Sequence, residues 1–268
     1  RDSDNLVELD LSNFNTRSMT AMGMMFYFCR NLNVLNLNNI NTNNVTSMSN
    51  MFFYCDNLTN LNLNSFNTSN VTAMRDMFGY CRSLTSLNLN NFNTSKVTDM
   101  YSMFGYCDNL INLDLNNFNT SKVTNMGFMF NNCTKIKNLN LNNFNTENVT
   151  SMHCMFQSCN NLTTLNLSSF NTNKVTDMGG MFTYCSNLTK LDLSNFNTEN
   201  VTDMSDMFRS SYSLEQLDIS NFNFTNVTNA TSMFFGIKKD CLIYVKDQTA
   251  KDFVLNTRSD LTNVVIKT

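Results

Sequence analysis

Apolar residues return at a spacing of 26 residues along almost the whole chain. A Leu-x-Leu motif, which is Leu-x-Ile in the last copy, begins at nine positions without an insertion or deletion, namely Leu9, Leu35, Leu61, Leu87, Leu113, Leu139, Leu165, Leu191 and Leu217. A fixed period of this length is typical of a solenoid, in which each repeat buries its apolar side against its neighbours. The pattern therefore predicts one elongated repeat domain.

Within the fourth repeat, the pattern predicts a strand, a turn and a short helix. Leu87 and Leu89 flank a polar residue, as in a strand with one buried face. An Asn-rich turn follows, with Phe92 as its inward apolar anchor. The next apolar residues are spaced by three and four, at Val97, Met100, Met103, Phe104 and Cys107. This spacing favours a helix at about residues 98–106, with Thr98 as its N-cap.

The repeat pattern ends near residue 236, and the last segment predicts a strand at 242–246, a helix at 248–256 and a strand at 263–267. We expect residues 1–236 to form an α/β solenoid, a right-handed coil of short parallel strands and short helices in about nine repeats. Residues 237–268 are expected to form a β-α-β cap. The chain starts inside a repeat, so we expect an exposed N-terminal face that a cap or further repeats would cover.

Composition argues against a nucleic-acid partner and against a membrane span. Charged residues make up 15% of the chain and the net charge is -3, so the basic patch of a nucleic-acid-binding protein is missing. Polarity comes mainly from asparagine, with 51 residues of this type. No apolar run approaches the roughly 18 residues of a membrane span. We therefore expect no nucleic-acid partner and no membrane span in this chain.

Seven of the nine cysteines occupy one position of the repeat: Cys29, Cys55, Cys81, Cys107, Cys133, Cys159 and Cys185. Parallel side chains in successive coils lie about 4.8 Å apart, which places their Cβ atoms farther apart than disulfide geometry favours. We expect a structural column of buried, reduced thiols that pack as small apolar groups.

Motifs for catalysis or metal binding are not evident. His153, Cys154 and Cys159 lie close in sequence, but a zinc site needs four well-spaced ligands. His153 also occupies a variable position of the repeat, which indicates a surface residue. The sequence contains no nucleophile elbow, phosphate loop, HExxH motif or paired carboxylates. It therefore predicts no enzyme activity, no metal site and no cofactor.

Two columns of the repeat are candidate ligand-binding sites. The column before the cysteine begins with four aromatic residues, Phe28, Tyr54, Tyr80 and Tyr106. Exposed aromatic rows anchor contacts with proteins or glycans; alternatively, these rings are partly buried and structural. The column after the cysteine alternates in charge and predicts ion pairs between coils, at Arg30, Asp56, Arg82 and Asp108. The second candidate is the row inside Leu-x-Leu, which faces away from the core at Asn36, Asn62, Asn88, Asp114 and Asn140.

The repeat resembles that of the BspA-like leucine-rich-repeat surface proteins, whose 26-residue unit has the form L-[DN]-L-[SN]-x-F-[DN]-T-x-x-V-T-x-M-x-x-M-F-x-x-C. The resemblance covers about residues 6–236, and the ending IYV-x-D-x-x-A-K-D-F is similar to the end of such arrays. Ordinary leucine-rich repeats carry an asparagine where this chain has Phe92 or Ile40; here Asn93 and Asn41 come one residue later.

The resemblance implies an extracellular or cell-surface protein of bacteria or microbial eukaryotes, often connected with adhesion. We therefore expect a non-enzymatic binding protein that contacts a protein or glycan of a host or neighbouring cell. The alternative is a structural spacer that displays another, ligand-bearing domain. The sequence leaves the ligand and the oligomeric state open.

Overall fold

Residues 2–268, which a computed structural model describes, form a solenoid of stacked coils. The strands are β1 Glu8–Asp10, β2 Val34–Asn36, β3 Ser86–Leu87, β4 Asn112–Leu113, β5 Lys190–Asp192, β6 Gln216–Asp218, β7 Leu242–Val245 and β8 Val264–Ile266. All pairs are parallel: β1 with β2, β3 with β4, and β5 to β8 in that order. Paired residues of successive coils are one repeat apart, as Leu9 and Leu35 are. The predicted solenoid is confirmed.

The predicted helix of the repeat is wrong. Residues 101–106 form a run of tight turns after a bridge residue, Asp99, and no repeat contains a helix within the described part of the chain. The N–H of Met103 donates to the carbonyl of Met100 at 3.2 Å and closes a turn, whereas the N–H of Phe104 donates to Met129 of the next coil at 3.0 Å. Backbone donors thus alternate between the same coil and the next one. We call residues 98–107 and their equivalents the turn arm.

The turn arms of neighbouring coils form their own parallel ladder. Isolated parallel bridges connect them from Ala21 to Asn229. Thr98, predicted as a helix N-cap, belongs to this ladder: its backbone N–H and its hydroxyl donate to the carbonyl of Thr72 at 2.9 and 3.3 Å. Its side chain therefore supports the stacking of coils and caps no helix.

Each complete turn arm has two residues with left-handed backbone. In the fourth repeat they are Ser102, with φ of 53°, and Tyr106, with φ of 59°. Each is the third residue of a four-residue turn, where type II turns require positive φ. This conformation costs a non-glycine residue about 1–2 kcal/mol. It also excludes an α-helix, and it persists because both residues donate a backbone hydrogen bond to the next coil.

We predict that Ser158→Gly stabilises the protein by about 0.5–1 kcal/mol, because glycine adopts the φ of 59° found at Ser158 without steric strain. Ser158→Val should destabilise it by about 1–2 kcal/mol, because a β-branched side chain is strained there. The measurement is urea unfolding of both variants. Destabilisation by glycine with little effect of valine would contradict the turn assignment.

Phenylalanine forms two buried columns. Rings from Phe26 to Phe234 stack coil on coil, with centroids of neighbouring rings 5.5 to 5.9 Å apart. The second column contains Phe92, the predicted inward anchor, which is buried. Its first member, Phe14, is 62% exposed. Methionine, leucine, valine and cysteine columns fill the rest of one continuous core.

An asparagine ladder runs beside the second phenylalanine column, one residue before most of its phenylalanines, and Ser65 and Ser169 take this position in two coils. Asn117 Nδ2 donates to the carbonyls of Leu89 and Phe92 in the preceding coil, at 2.9 and 2.8 Å. The equivalent donors in other coils are Asn91, Asn143, Asn195 and Asn221. The residue one position after the phenylalanine has another role: Asn93 Oδ1 accepts from the N–H of Ser95. Asparagine therefore ties coil to coil at buried carbonyls.

The chain ends with the predicted strand, helix and strand. Helix α1 spans Gln248–Thr257, and its N-cap is Asp247, whose carboxylate accepts from the N–H of Ala250 at 2.9 Å. Strand β7 pairs with β6, so this segment continues the sheet of the last repeats. Arg258 donates to the carbonyls of Phe234 and Ile237, both at 2.7 Å. The division into a repeat domain at 1–236 and a cap at 237–268 stays a prediction.

Candidate binding surface

The aromatic stripe, Phe28, Tyr54, Tyr80 and Tyr106, forms a continuous stack of rings. Successive centroids are 4.5, 4.1 and 4.1 Å apart, and successive ring planes meet at 20°, 11° and 8°. The four residues share one repeat position and one left-handed backbone conformation, so their side chains project in parallel. All four are half-buried. The ring faces cover one another, and the ring edges remain for contact with a ligand.

Two arginines lie against the stripe. The Arg30 guanidinium carbon is 5.0 Å from the ring centroid of Phe28 and 5.5 Å from that of Tyr54. Arg82 is placed in the same way, 5.5 Å from Tyr54 and 5.0 Å from Tyr80. Since neighbouring rings cover the faces of Tyr54 and Tyr80, both guanidinium groups lie along the edge of the stack. The stripe is therefore an aromatic and cationic surface.

Ion pairs between coils hold Arg82 in place. Its Nη1 lies 3.1 Å from Asp56 Oδ1 in the preceding coil, and its Nε lies 3.5 Å from Asp108 Oδ2 in the following coil. These are two of the three pairs that the alternating charges predicted. Because the side chains are partly exposed, each pair contributes only about 0–1 kcal/mol to stability. Their larger effect is to restrict the guanidinium to one position beside the rings.

The hydroxyl groups of the stripe are close enough to interact. Burial, followed by the neighbouring hydroxyls of Tyr106 and Tyr54, raises the pKa of Tyr80 well above its usual value. This hydroxyl therefore stays protonated at physiological pH and keeps its ability to donate a hydrogen bond. The stripe thus presents the neutral hydroxyl of Tyr80 beside fixed positive charges.

Tyr27 and Phe53 widen the aromatic surface, and sequence reasoning missed them. Their rings stack at 5.4 Å, and Phe53 meets Tyr80 edge-on at 5.4 Å. Gly79 makes this possible, because a Cβ atom there would lie 2.9 Å from the Phe53 ring. The available signal was an aromatic pair before the cysteine in two successive repeats, followed by glycine in the third.

The strand-face row serves the turns. A side-chain oxygen of each member accepts a hydrogen bond from the backbone N–H two residues later, at 3.0 to 3.2 Å. The members are Asn36, Asn62, Asn88, Asp114 and Asn140. The amides of Asn62 and Asn140 also donate to asparagines of the preceding coil. Asn and Asp are both suited to this Asx turn, which explains why the row varies only between the two. One side-chain oxygen of every member, and the amides of Asn62 and Asn140, are thus used within the protein.

The cysteine column is buried, and its thiols donate to carbonyls of the preceding coil. Cys107 Sγ lies 3.2 Å from the carbonyl oxygen of Phe78, and five other members make the same contact at 3.1 to 3.2 Å. Burial raises the pKa of Cys185 to about 12. The equivalent position at Ser211 holds a hydroxyl that donates to Phe182 at 2.8 Å. The nine cysteines are all free in the structure.

Among residues 2–268, no three His, Cys, Asp or Glu side chains are grouped so as to hold a metal ion. Over the same residues, no helix has the length and apolar character needed to cross a membrane.

Several solved structures match the chain at low similarity. A leucine-rich-repeat protein of Leptospira interrogans is 14% identical, with a TM-score of 0.28 over 98% of this chain and 84% of that one. The pneumococcal vaccine antigen PcpA is 11% identical, with a TM-score of 0.35 over 98% and 68%. The functional domain of InlJ from Listeria monocytogenes, which includes a cysteine ladder, is 17% identical, with a TM-score of 0.29 over 98% and 63%.

The comparison of sequences gives the family. No curated protein matches the chain. A protein family described as "Mycoplasma protein of unknown function, DUF285" matches at residues 2–110, 83–165 and 150–240, which together extend over all the repeats. The chain belongs to the DUF285 family.

Proposed function

We propose that this chain is a non-enzymatic binding protein of the BspA-like type, and that the aromatic stripe contacts a protein of a host or neighbouring cell. The observation that carries the proposal is the fixed stack of Phe28, Tyr54, Tyr80 and Tyr106 with two guanidinium groups on its edge. Tyrosine and arginine dominate the energetics of protein interfaces. An extracellular or cell-surface location is part of the proposal and rests on the resemblance of the repeat.

Rigidity makes this surface suitable for binding. Each ring is held by the rings of adjacent coils, and Arg82 is held by Asp56 and Asp108. A side chain that is already immobilised loses little entropy on association, whereas a mobile one costs about 0.5–1.5 kcal/mol. The stripe therefore offers aromatic and cationic contacts with a small ordering cost.

A protein partner fits the stripe better than a glycan does. Sugar rings bind aromatic residues by lying on open ring faces, but the faces of Tyr54 and Tyr80 are covered on both sides. The exposed features are ring edges, hydroxyl groups and guanidinium groups. Carboxylates and backbone carbonyls of a protein can accept hydrogen bonds from these donors. We propose an acidic or carbonyl-rich protein segment as the contact.

The strand-face row is the less suitable of the two candidate surfaces. Asn62 and Asn140 use both their oxygen and their amide in hydrogen bonds within the solenoid. A ligand would have to replace these bonds or bind the remaining lone pairs. We therefore assign the main contact to the stripe and treat the row as a structural feature of the turns.

The test of function is a binding screen with residues 1–268. Labelled protein is incubated with cultured animal cells, extracellular matrix proteins and a glycan array, since the partner is not identified. We expect saturable binding to cells or matrix proteins that is lost after protease treatment of the target and kept after glycosidase treatment. Loss after glycosidase treatment would contradict a protein partner. If residues 1–268 bind no target while a longer form of the protein does, the result would support the alternative of a structural spacer.

A further inference from the structure

Two aromatic side chains near the end of the solenoid are exposed. Tyr212 is 54% exposed and Phe235 is 59% exposed, whereas the rings of the aromatic stripe are half-buried. We call Tyr212 and Phe235 the exposed ring pair. Tyr212 occupies the repeat position after the cysteine, and this position is polar in every earlier copy. The earlier residues are Arg30, Asp56, Arg82, Asp108, Thr134, Asn160 and Ser186.

Gly236 keeps the surface low beside the exposed ring pair. A Cβ atom on Gly236 would lie 3.2 Å from Tyr212 Cε1 and 3.2 Å from the Cα of Ser210. Gly236 also has φ of 82°, in the left-handed region that favours glycine. Because no side chain rises from this position, the space beside the two rings is open down to the backbone.

The faces of the exposed ring pair are less covered than those of the stripe. Within residues 2–268, neither ring stacks on another aromatic ring, and the Arg209 guanidinium carbon lies 5.4 Å from the Phe235 centroid. In the stripe, by contrast, Tyr54 and Tyr80 have a ring on both sides. An open aromatic face is weakly negative, so it attracts the weakly positive C–H groups of a ligand.

The charged side chains beside the exposed ring pair are balanced. Arg209 Nη1 lies 3.0 Å from Asp206 Oδ1, and Lys238 Nζ lies 2.7 Å from Glu215 Oε1. Each ion pair has no net charge, so this surface favours neither an anionic nor a cationic ligand. A carboxylate has about four lone-pair sites and a guanidinium has about five N–H groups. One contact within each pair therefore leaves further acceptors and donors for neutral hydroxyl groups.

The mixture of rings and charges distinguishes this surface from a protein interface. The core of such an interface is depleted in charged residues, and lysine, glutamate and aspartate are rare there. A pocket for an apolar small molecule encloses most of its ligand, whereas both rings here are more than half exposed. A pyranose is neutral, and it combines an apolar C–H face with hydroxyl groups on its rim. It therefore matches open rings that have balanced ion pairs beside them.

We propose that Tyr212 and Phe235 form a saccharide-binding site, at which a neutral sugar unit lies on the open ring faces. The carboxylate oxygens of Asp206 and Glu215 accept hydrogen bonds from its hydroxyl groups, and Arg209 donates to a sugar oxygen. The site is separate from the aromatic stripe and does not depend on the role proposed for the stripe. One site with a Kd of about 1 mM does not hold the chain on a cell, so the expected outcome of the binding screen is unchanged.

The test is saturation-transfer NMR of residues 1–268 with maltotriose, lactose and the N-acetylglucosamine trimer, and with sialyllactose as the anionic probe. We expect saturable binding of at least one neutral sugar with a Kd of about 1 mM, and no tighter binding of sialyllactose than of lactose. Tyr212→Ala and Phe235→Ala should each weaken binding at least about tenfold, because each removes one of the two rings. Both side chains are exposed, so the Tm of these variants should change little.

Phe14→Ala and Tyr54→Ser are the matched controls. Phe14 is an exposed ring in the first coil, and Tyr54 belongs to the aromatic stripe. Both variants should bind the sugar as the wild type does. The proposal is overturned if no neutral sugar binds saturably, if Phe235→Ala keeps the wild-type affinity, or if Tyr54→Ser loses the binding. It is also overturned if Phe235→Ala weakens binding to the protein target of the screen and leaves sugar binding intact.

Discussion

Phe118→Ala is expected to reduce the free energy of unfolding by about 3–5 kcal/mol, the range found for large-to-small substitutions in protein cores. Phe118 is 3% exposed and belongs to the second phenylalanine column in the middle of the solenoid. Coils on both sides surround the site and limit its collapse around the cavity. A loss at this position also weakens two interfaces between coils, which supply most of the stability of a repeat protein.

Phe14→Ala is the matched control for this variant. Phe14 has the same repeat position and the same chemistry, but it is 62% exposed. Its replacement should change the free energy of unfolding by no more than about 0.5 kcal/mol. Urea unfolding monitored by circular dichroism measures both effects. Similar losses for the two variants would show that stacking between coils is not the main source of stability.

Repeat spacing made the solenoid predictable from sequence. A spacing without insertions places equivalent residues in register, so Leu9 opposite Leu35 and Leu191 opposite Leu217 follow from the period alone. The same argument predicted the buried columns and the Asp56 to Arg82 ion pair. The ending was also predictable, because its strand and helix patterns are of ordinary length.

The turn arm could not be predicted in the same way. Apolar residues at Met100, Met103, Phe104 and Cys107 fit a helix and a chain of tight turns equally well, since both direct every third or fourth side chain inward. The helix and the chain of turns differ in backbone hydrogen bonding. In the turns, part of the N–H groups donate to the next coil, and the sequence of a single repeat does not show this. Asparagine and glycine at positions such as Asn132 and Gly180 were the weak signal of left-handed backbone.

The candidate site was predictable in its position but not in its geometry. The column of Phe28, Tyr54, Tyr80 and Tyr106 was visible as a run of aromatics. The face-to-face packing of the rings depends on their shared backbone conformation, and this conformation cannot be read from the sequence. The strand-face row looked equally exposed, because its turn hydrogen bonds cannot be read from a pattern of Asn and Asp.

Replacing Tyr54, Tyr80 and Tyr106 together with serine is expected to weaken binding by at least about a hundredfold, because a single hot-spot side chain contributes about 2 kcal/mol or more. Serine is compatible with the backbone at this position, as Ser158 shows. The variant loses stacking between half-buried rings, so we expect a moderate decrease in Tm and a folded protein.

Tyr184→Ser is the matched control for the stripe. Tyr184 occupies the same repeat position with the same left-handed φ, but its neighbours in this column are Ser158 and Ser210. It therefore lies outside the stack, and its replacement should leave binding unchanged. The comparison separates loss of the stripe from a general effect of removing a tyrosine at this turn.

The most direct measurement of the central claim is the affinity of these two variants and the wild type for the protein target found in the screen, by titration of labelled chain. We predict that the triple variant loses at least about a hundredfold in Kd while Tyr184→Ser matches the wild type. Equal affinity of the triple variant and the wild type, with both folded, would contradict the assignment of the aromatic stripe as the binding surface.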